Sequence, residues 1–189
     1  EAEARAEEQA KEQARKKAAE RESEAKAKQK FHREAAKKEA LLLGSEKHPA
    51  KHCKAIKKAN PAAKDNVYYL KRSRKPYKAW CDMTTDGGGW TMVLSIDGRK
   101  STFAYDAEYW KNKKTYNYEL EGKPPFEHKS KAYYRVPFNE INVLMLTGKK
   151  SMKNLVIKRK SKSLYHLLAD GKYKPTRFGR KRWKKLIDN

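Results

Sequence analysis

Three consecutive glycines interrupt the chain in the stretch Trp80-Cys81-Asp82-Met83-Thr84-Thr85-Asp86-Gly87-Gly88-Gly89-Trp90-Thr91. Glycine has no side chain to pack, so a triplet between strand-like runs is a statement about backbone. It calls for positive φ, or for a close approach that a Cβ would block. The flanking runs have strand character: Val67-Tyr68-Tyr69-Leu70 and Tyr77-Lys78-Ala79-Trp80 are aromatic and β-branched, and the turn-prone Arg74-Lys75-Pro76 separates them. Trp90 to Ile96 reads as a third strand. The triplet is not a phosphate cradle, because neither a Lys-Ser/Thr tail nor a helix follows it.

The segment CDMTTDGGGWTMV resembles the signature of the fibrinogen C-terminal-like domain, shared by fibrinogens, ficolins, tachylectins and, in variant form, intelectins. The resemblance begins at Cys53 in CKAIKKANPAAKDNVYYL. Beyond residue 100, the segments FAYDAEYWKNKKTYN, YRVPFNEINVLML, SLYHLLADGKY and GRKRWKKLI are similar to divergent, intelectin-like proteins of cnidarians. The resemblance implies a disulfide between Cys53 and Cys81, where two lone thiols would be the plainer reading of an intracellular chain. With it come an oxidising, secreted setting and a stabilisation of roughly 3–4 kcal/mol from loop closure. It also implies that the chain is C-terminally incomplete at Asn189, with most calcium and ligand contacts expected in a half that would follow.

Net charge is +24 over 189 residues, which favours polyanionic partners. Residues 1 to 44 hold 12 basic and 10 acidic side chains, so the excess belongs to residues 45 to 189. The chain divides accordingly into 1–44, a charged Ala/Glu/Lys-rich helix or spacer, and 45–189, the N-terminal portion of the fibrinogen-like domain. The helix is supported by opposite charges four residues apart at Glu7/Lys11, Glu12/Lys16, Glu22/Lys26, Glu24/Lys28 and Glu34/Lys38. Heptad positions lack large apolar residues until Phe31 and Leu41-Leu42-Leu43, so a spacer is preferred to a coiled-coil stalk for homo-oligomerisation. Apolar runs fall short of the roughly 20 residues of a membrane span. Neither a signal peptide nor an Asn-x-Ser/Thr sequon is visible, and a mature or partial chain accounts for the former.

Along the remainder, Pro49 to about Ala59 reads as a helix, Asp106 to Trp110 as a short one, and Lys123-Pro124-Pro125 as a break. Ala132 to Val136, Ile141 to Leu146 and Asn154 to Ile157 read as strands. Ser163 caps a helix over Leu164 to Ala169. Gly179 to Ile187 reads as a final helix with Trp183, Leu186 and Ile187 on its apolar side. The fold class is α+β: a mainly antiparallel sheet with short helices, preceded by a long charged helix.

Catalytic constellations are not found: the histidines are scattered and the carboxylates Glu119 and Glu121 lack a partner that would split their pKa values. His48 and His52 have a ligating spacing, yet without a carboxylate or second thiol beside them no metal or cofactor is expected. The chemistry lies in the basic C-terminal third, where fifteen Lys and Arg from Lys149 to Lys185 face one acid, Asp170. They concentrate at Lys158, Arg159, Lys160 and Lys162, and at Arg180, Lys181, Arg182, Lys184 and Lys185. Such clusters suit sulfate, carboxylate or phosphate polymers, although strand alternation puts only every second basic residue of 155–160 on one face.

The sequence reading is a secreted, non-enzymatic extracellular matrix protein that binds acidic polysaccharide, acidic matrix protein or mineral-associated matrix. The cnidarian similarity makes the organic matrix of a coral skeleton its expected setting. A calcium-dependent lectin-like module is the alternative. Nucleic acid is favoured by charge alone and opposed by the disulfide and by the lack of a binding motif.

Overall fold

The computed structural model describes residues 2–118, 126–146 and 152–187, with side chains throughout except near the start of the first helix. The expected break at Lys123-Pro124-Pro125 lies outside the described residues. Two compact units are found, Glu1–Leu42 and Leu43–Asn189.

The first unit is a single helix, α1 (Ala2–Leu42). Glu12 meets Lys16 at 2.9 Å and Glu22 meets Lys26 at 2.6 Å, both one turn apart on the helix; the Glu7 side chain lies outside the described ones. Each such exposed pair adds only about 0.3–0.5 kcal/mol, so the helix depends mainly on the high propensity of Ala, Glu and Lys.

In the second unit, β1 (Asn66–Leu70), β2 (Tyr77–Asp82) and β3 (Trp90–Thr91) form one antiparallel sheet. Strand β2 alternates strictly, burying Tyr77, Ala79 and Cys81. Their faces meet Cys53 and Ile56 of α2 (Cys53–Ala59), with Ala50, Leu70, Met83, Ala132 and Val136 completing the core. Cys53 and Cys81 are joined by a disulfide, with Cα atoms 5.5 Å apart. The helix starts at Cys53 rather than Pro49, because the preceding backbone is committed elsewhere. Ala50 forms a parallel bridge with Leu70, its N–H donating to the Tyr69 carbonyl at 2.9 Å. His52 then caps α2, its Nδ1 accepting from the Ala55 N–H at 3.1 Å.

The glycine corner is a run of left-handed backbone: Asp86, Gly87, Gly88 and Gly89 all have positive φ. A Cβ on Gly88 would lie 2.0 Å from the Met83 carbonyl oxygen, and one on Gly89 would lie 2.9 Å from Lys54 Cα. Gly88 therefore permits the turn, and Gly89 permits α2 to lie on it. The Asp82 carboxylate accepts the N–H groups of Thr84 and Thr85 at 3.0 and 2.8 Å, and the Trp90 indole donates to the Thr85 carbonyl at 2.8 Å.

Three further sequence expectations are corrected. Trp90 to Ile96 is divided between two sheets: after β3 the chain leaves, and β4 (Leu94–Ser95) pairs with β5 (His128–Lys129). The segment Ala132–Arg135 is not a strand but a one-turn helix, α3; the Ser130 hydroxyl accepts the Ala132 N–H at 3.1 Å, and Ala132 and Tyr133 are fully buried. Tertiary burial overrides the strand preference of the tyrosines. Asp106 to Trp110 supplies only a 3-10 turn at Glu108–Trp110, whose Tyr109 and Trp110 pack on Phe103 at 5.5 and 5.9 Å. The rest of the unit is the ribbon β6 (Phe138–Leu146) with β7 (Met152–Ser161), α4 (Leu164–Leu168) and α5 (Arg180–Leu186). The architecture is α+β, with its antiparallel pairing spread over three small sheets.

Replacing both Cys53 and Cys81 by serine is expected to lower the unfolding free energy by about 3–4 kcal/mol, read from urea midpoints. Gly88→Ala should cost ~3 kcal/mol through the clash and a backbone region closed to alanine. Gly87→Ala meets open space and should cost only about 1–2 kcal/mol.

Candidate polyanion-binding surface

Strand β7 places its residues by simple alternation. Leu155 and Ile157 face the core, and Arg159 shares their side, where its guanidinium donates to the Pro175 carbonyl. Lys158 and Lys160 lie on the opposite, exposed face, and Lys162 follows exposed just past the strand. Ser163 then caps α4: its Oγ accepts the His166 N–H at 3.2 Å and lies 2.7 Å from His166 Nδ1. This serine is fully buried, and its contact with histidine is a helix cap rather than an activated nucleophile.

Helix α5 follows Gly179 and packs against β7. Leu186 is buried and Trp183 half-buried against Phe178, with ring centroids 6.5 Å apart. Ile187, expected on the same stripe, is exposed because the helix has ended at Leu186. Arg180, Lys181, Arg182, Lys184 and Lys185 are all exposed. Arg182 stacks over the Phe178 ring at 4.7 Å. Arg180 with Lys184, and Lys181 with Lys185, are like charges one turn apart, an arrangement that costs a few tenths of a kcal/mol per pair.

The two basic clusters thus lie on neighbouring elements. Arg159 is turned away from the exposed face of β7, which carries Lys158 and Lys160. Asp170, the one acid between Lys149 and Lys185, is already held by Lys174 at 2.7 Å, and that ion pair together with the Lys172 N–H keeps its carboxyl below the ordinary range. Lys149 and Lys150, counted in the sequence with these clusters, lie outside the described residues, as do Glu119 and Glu121.

One internal cation escaped the sequence reading. The consecutive polar residues Glu127, His128, Lys129 and Ser130 are all buried. Lys129 pairs through its backbone with Leu94 and Tyr116, while its ammonium donates to the Tyr109 and Asn112 carbonyls and sits 4.4 Å from the Tyr133 ring centroid. Burial pulls its pKa down to about 8, against the hold of those oxygens. The flanking aromatics at 103, 109, 110 and 116 were the available signal, since a ring cluster needs a polar partner for its loop carbonyls.

Residues 49–159 match the family model described as fibrinogen beta and gamma chains, C-terminal globular domain. The match spans more than half of the chain, which belongs to that family. A 63-residue stretch is 40% identical to the fibrinogen beta chain of Petromyzon marinus, covering 32% of this chain and 13% of that protein. The chain therefore spans a small part of the relative it matches. The family is one of extracellular protein-binding or recognition modules, generally non-enzymatic. Among the described residues no helix is long and apolar enough to cross a membrane. Lys158 and Arg159 fall within the matched residues, and the cations from Lys160 to Lys185 lie beyond them.

The Lys129 amine has a folded pKa below that of the free side chain, so between pH 8 and 10.5 the unfolded chain binds more protons and stability rises with pH. Tyr77 and Tyr133, pushed up to about 12 mainly by burial, act oppositely above pH 10, where the unfolded chain ionises first. Urea midpoints at pH 7.5 and 10 should therefore rise more for the wild type than for Lys129→Met.

Proposed function

We infer that the chain is a secreted, non-enzymatic matrix protein whose basic domain holds acidic polymers. The observation that carries this is the run of exposed cations on β7 and α5, with the region's lone acid already paired. Like charges at helical spacing repel until an anion lies against them, and several weak contacts with a polyanion add while releasing counterions. Sulfated polysaccharide, acidic matrix protein and mineral-associated matrix share this chemistry. In this reading residues 1–44 act as a charged spacer, and residues 45–189 as the N-terminal portion of the recognition domain. The similarity of its later segments to cnidarian proteins supports a skeletal organic matrix as the setting.

The test is retention on immobilised sulfated polysaccharide at rising salt. The wild type should bind at low salt and lose affinity steeply as salt rises. Reversing Arg180, Lys181 and Arg182 to glutamate should weaken binding about tenfold or more and flatten that dependence. Unchanged retention would overturn the assignment of the surface. Calcium-dependent binding to a neutral glycan, with no such salt dependence, would replace the reading with a lectin-like one.

A further inference from the structure

The hairpin joining β1 to β2 turns through Lys71-Arg72-Ser73-Arg74-Lys75, four cations in five residues. Its outward face is built by the Ala50–Leu70 bridge. The Ala50 N–H donates to the Tyr69 carbonyl at 2.9 Å and the Lys71 N–H to the Ala50 carbonyl at 2.8 Å, so the two segments run side by side in parallel. Ala50 and Leu70 are both buried in the core. Successive residues of extended backbone point to opposite sides, so the next residue on each segment, Lys51 and Lys71, turns outward together with the other. With Arg72 and Ser73 they line an open cleft of about 470 Å³.

The cleft is uncompensated. Among the described residues, the side chains of Lys51, Lys71, Arg72 and Ser73 make no ion pair or hydrogen bond. Glu46 accepts a bond from the Tyr69 hydroxyl at 3.3 Å and keeps its charge. His52 stands at the rim, held below its ordinary pKa by burial first and then by the charges of Arg72, Lys51 and Lys54. Positive potential therefore reaches the cleft from three segments: the residues around Ala50, the start of α2 and the hairpin turn.

We propose that this cleft is a second anion site, one that takes a single sulfate or phosphate ester group. The Arg72 guanidinium offers a planar fork for two ester oxygens, Lys51 and Lys71 supply point charges, and the Ser73 hydroxyl adds a neutral donor. The site differs in kind from the surface on β7 and α5. That surface spreads charge along a strand and a helix, as a polymer requires, whereas this one converges on one group. The proposal stands independently of the polymer-binding reading.

His52 is a built-in reporter. Its Nδ1 accepts the Ala55 N–H in capping α2, so the neutral ring carries its hydrogen on Nε2 and ionisation adds a proton to Nδ1 at the expense of that cap; an anion in the cleft would favour this by cancelling part of the repulsion from Arg72, Lys51 and Lys54. The experiment uses the full chain at low salt, with calorimetry and an NMR titration of His52, against an O-sulfated disaccharide and its O-phosphorylated counterpart. At least one should bind one-to-one and raise the His52 pKa, and the tighter arm identifies the ester. Lys71→Glu with Arg72→Glu should weaken binding about tenfold or more and remove the His52 shift. Lys51→Gln, away from the turn, should weaken it in the same direction and serves if the turn variant does not fold. Charge reversal at Arg180, Lys181 and Arg182 should leave both readouts unchanged. The site is overturned if neither ester binds, if the cleft variants bind as the wild type does, or if the α5 variant loses binding equally. Polymer retention that persists in the turn variant would keep the surface on β7 and α5 whichever way this result falls.

Discussion

The Cys53–Cys81 bond is the constraint on which the second unit depends. Helix α2 is seven residues long, far short of the roughly 12–15 at which a helix begins to hold on its own in water. It persists because it is joined covalently to β2, its first N–H donates to the Thr91 hydroxyl at 3.2 Å, and Gly89 leaves room for Lys54 to pass. Sulfur, strand and glycine corner are therefore one device. The glycines turn the chain so that β3 returns beside Cys81, and Thr91 on that strand holds the end of the helix that the sulfur secures.

What the sequence revealed was local. Strands β1 and β2, the Ser163 cap and the backbone role of the glycine triplet each depend on a few adjacent residues whose chemistry admits little else. What it concealed was set by distant partners. Pro49 is a good first helical residue, but Ala50 bonds instead to a strand 20 residues away. Ala132 to Val136 has the composition of a strand, yet Tyr133 is buried and donates its hydroxyl to the Trp110 carbonyl at 2.9 Å, which a helical turn permits. Trp90 to Ile96 is one apolar run whose two ends find different partners, Asp82 and Cys81 on one side and His128 and Lys129 on the other. The disulfide came from resemblance, since two lone thiols were the plainer reading of an intracellular chain.

The basic surface was legible as composition but not as geometry. Alternation predicted that one basic side chain of the strand would face away, and Arg159 does so, spending its guanidinium on the Pro175 carbonyl. The packing of α5 on β7 could not be read from the sequence, because an irregular connection over residues 171–179 separates α4 from α5. Charge is also distributed unequally between the units. In α1, acids and bases nearly cancel and meet each other along the helix, so its surface has little net attraction for a polyanion. In the second unit basic side chains far outnumber acidic ones, and among the described residues ion pairs join Arg99 to Asp97, Lys100 to Glu127 and Lys174 to Asp170.

Lys129 has a consequence for the chemistry of the surface. Glycation, acetylation or any other amine-directed modification reaches side chains that water reaches, and this lysine is shielded behind Tyr109, Tyr133 and Asn112. The exterior could therefore lose much of its charge covalently while the ammonium that ties the aromatic loop to β5 stays intact. Progressive amine modification would thus strip the outer charge before it disturbed the architecture.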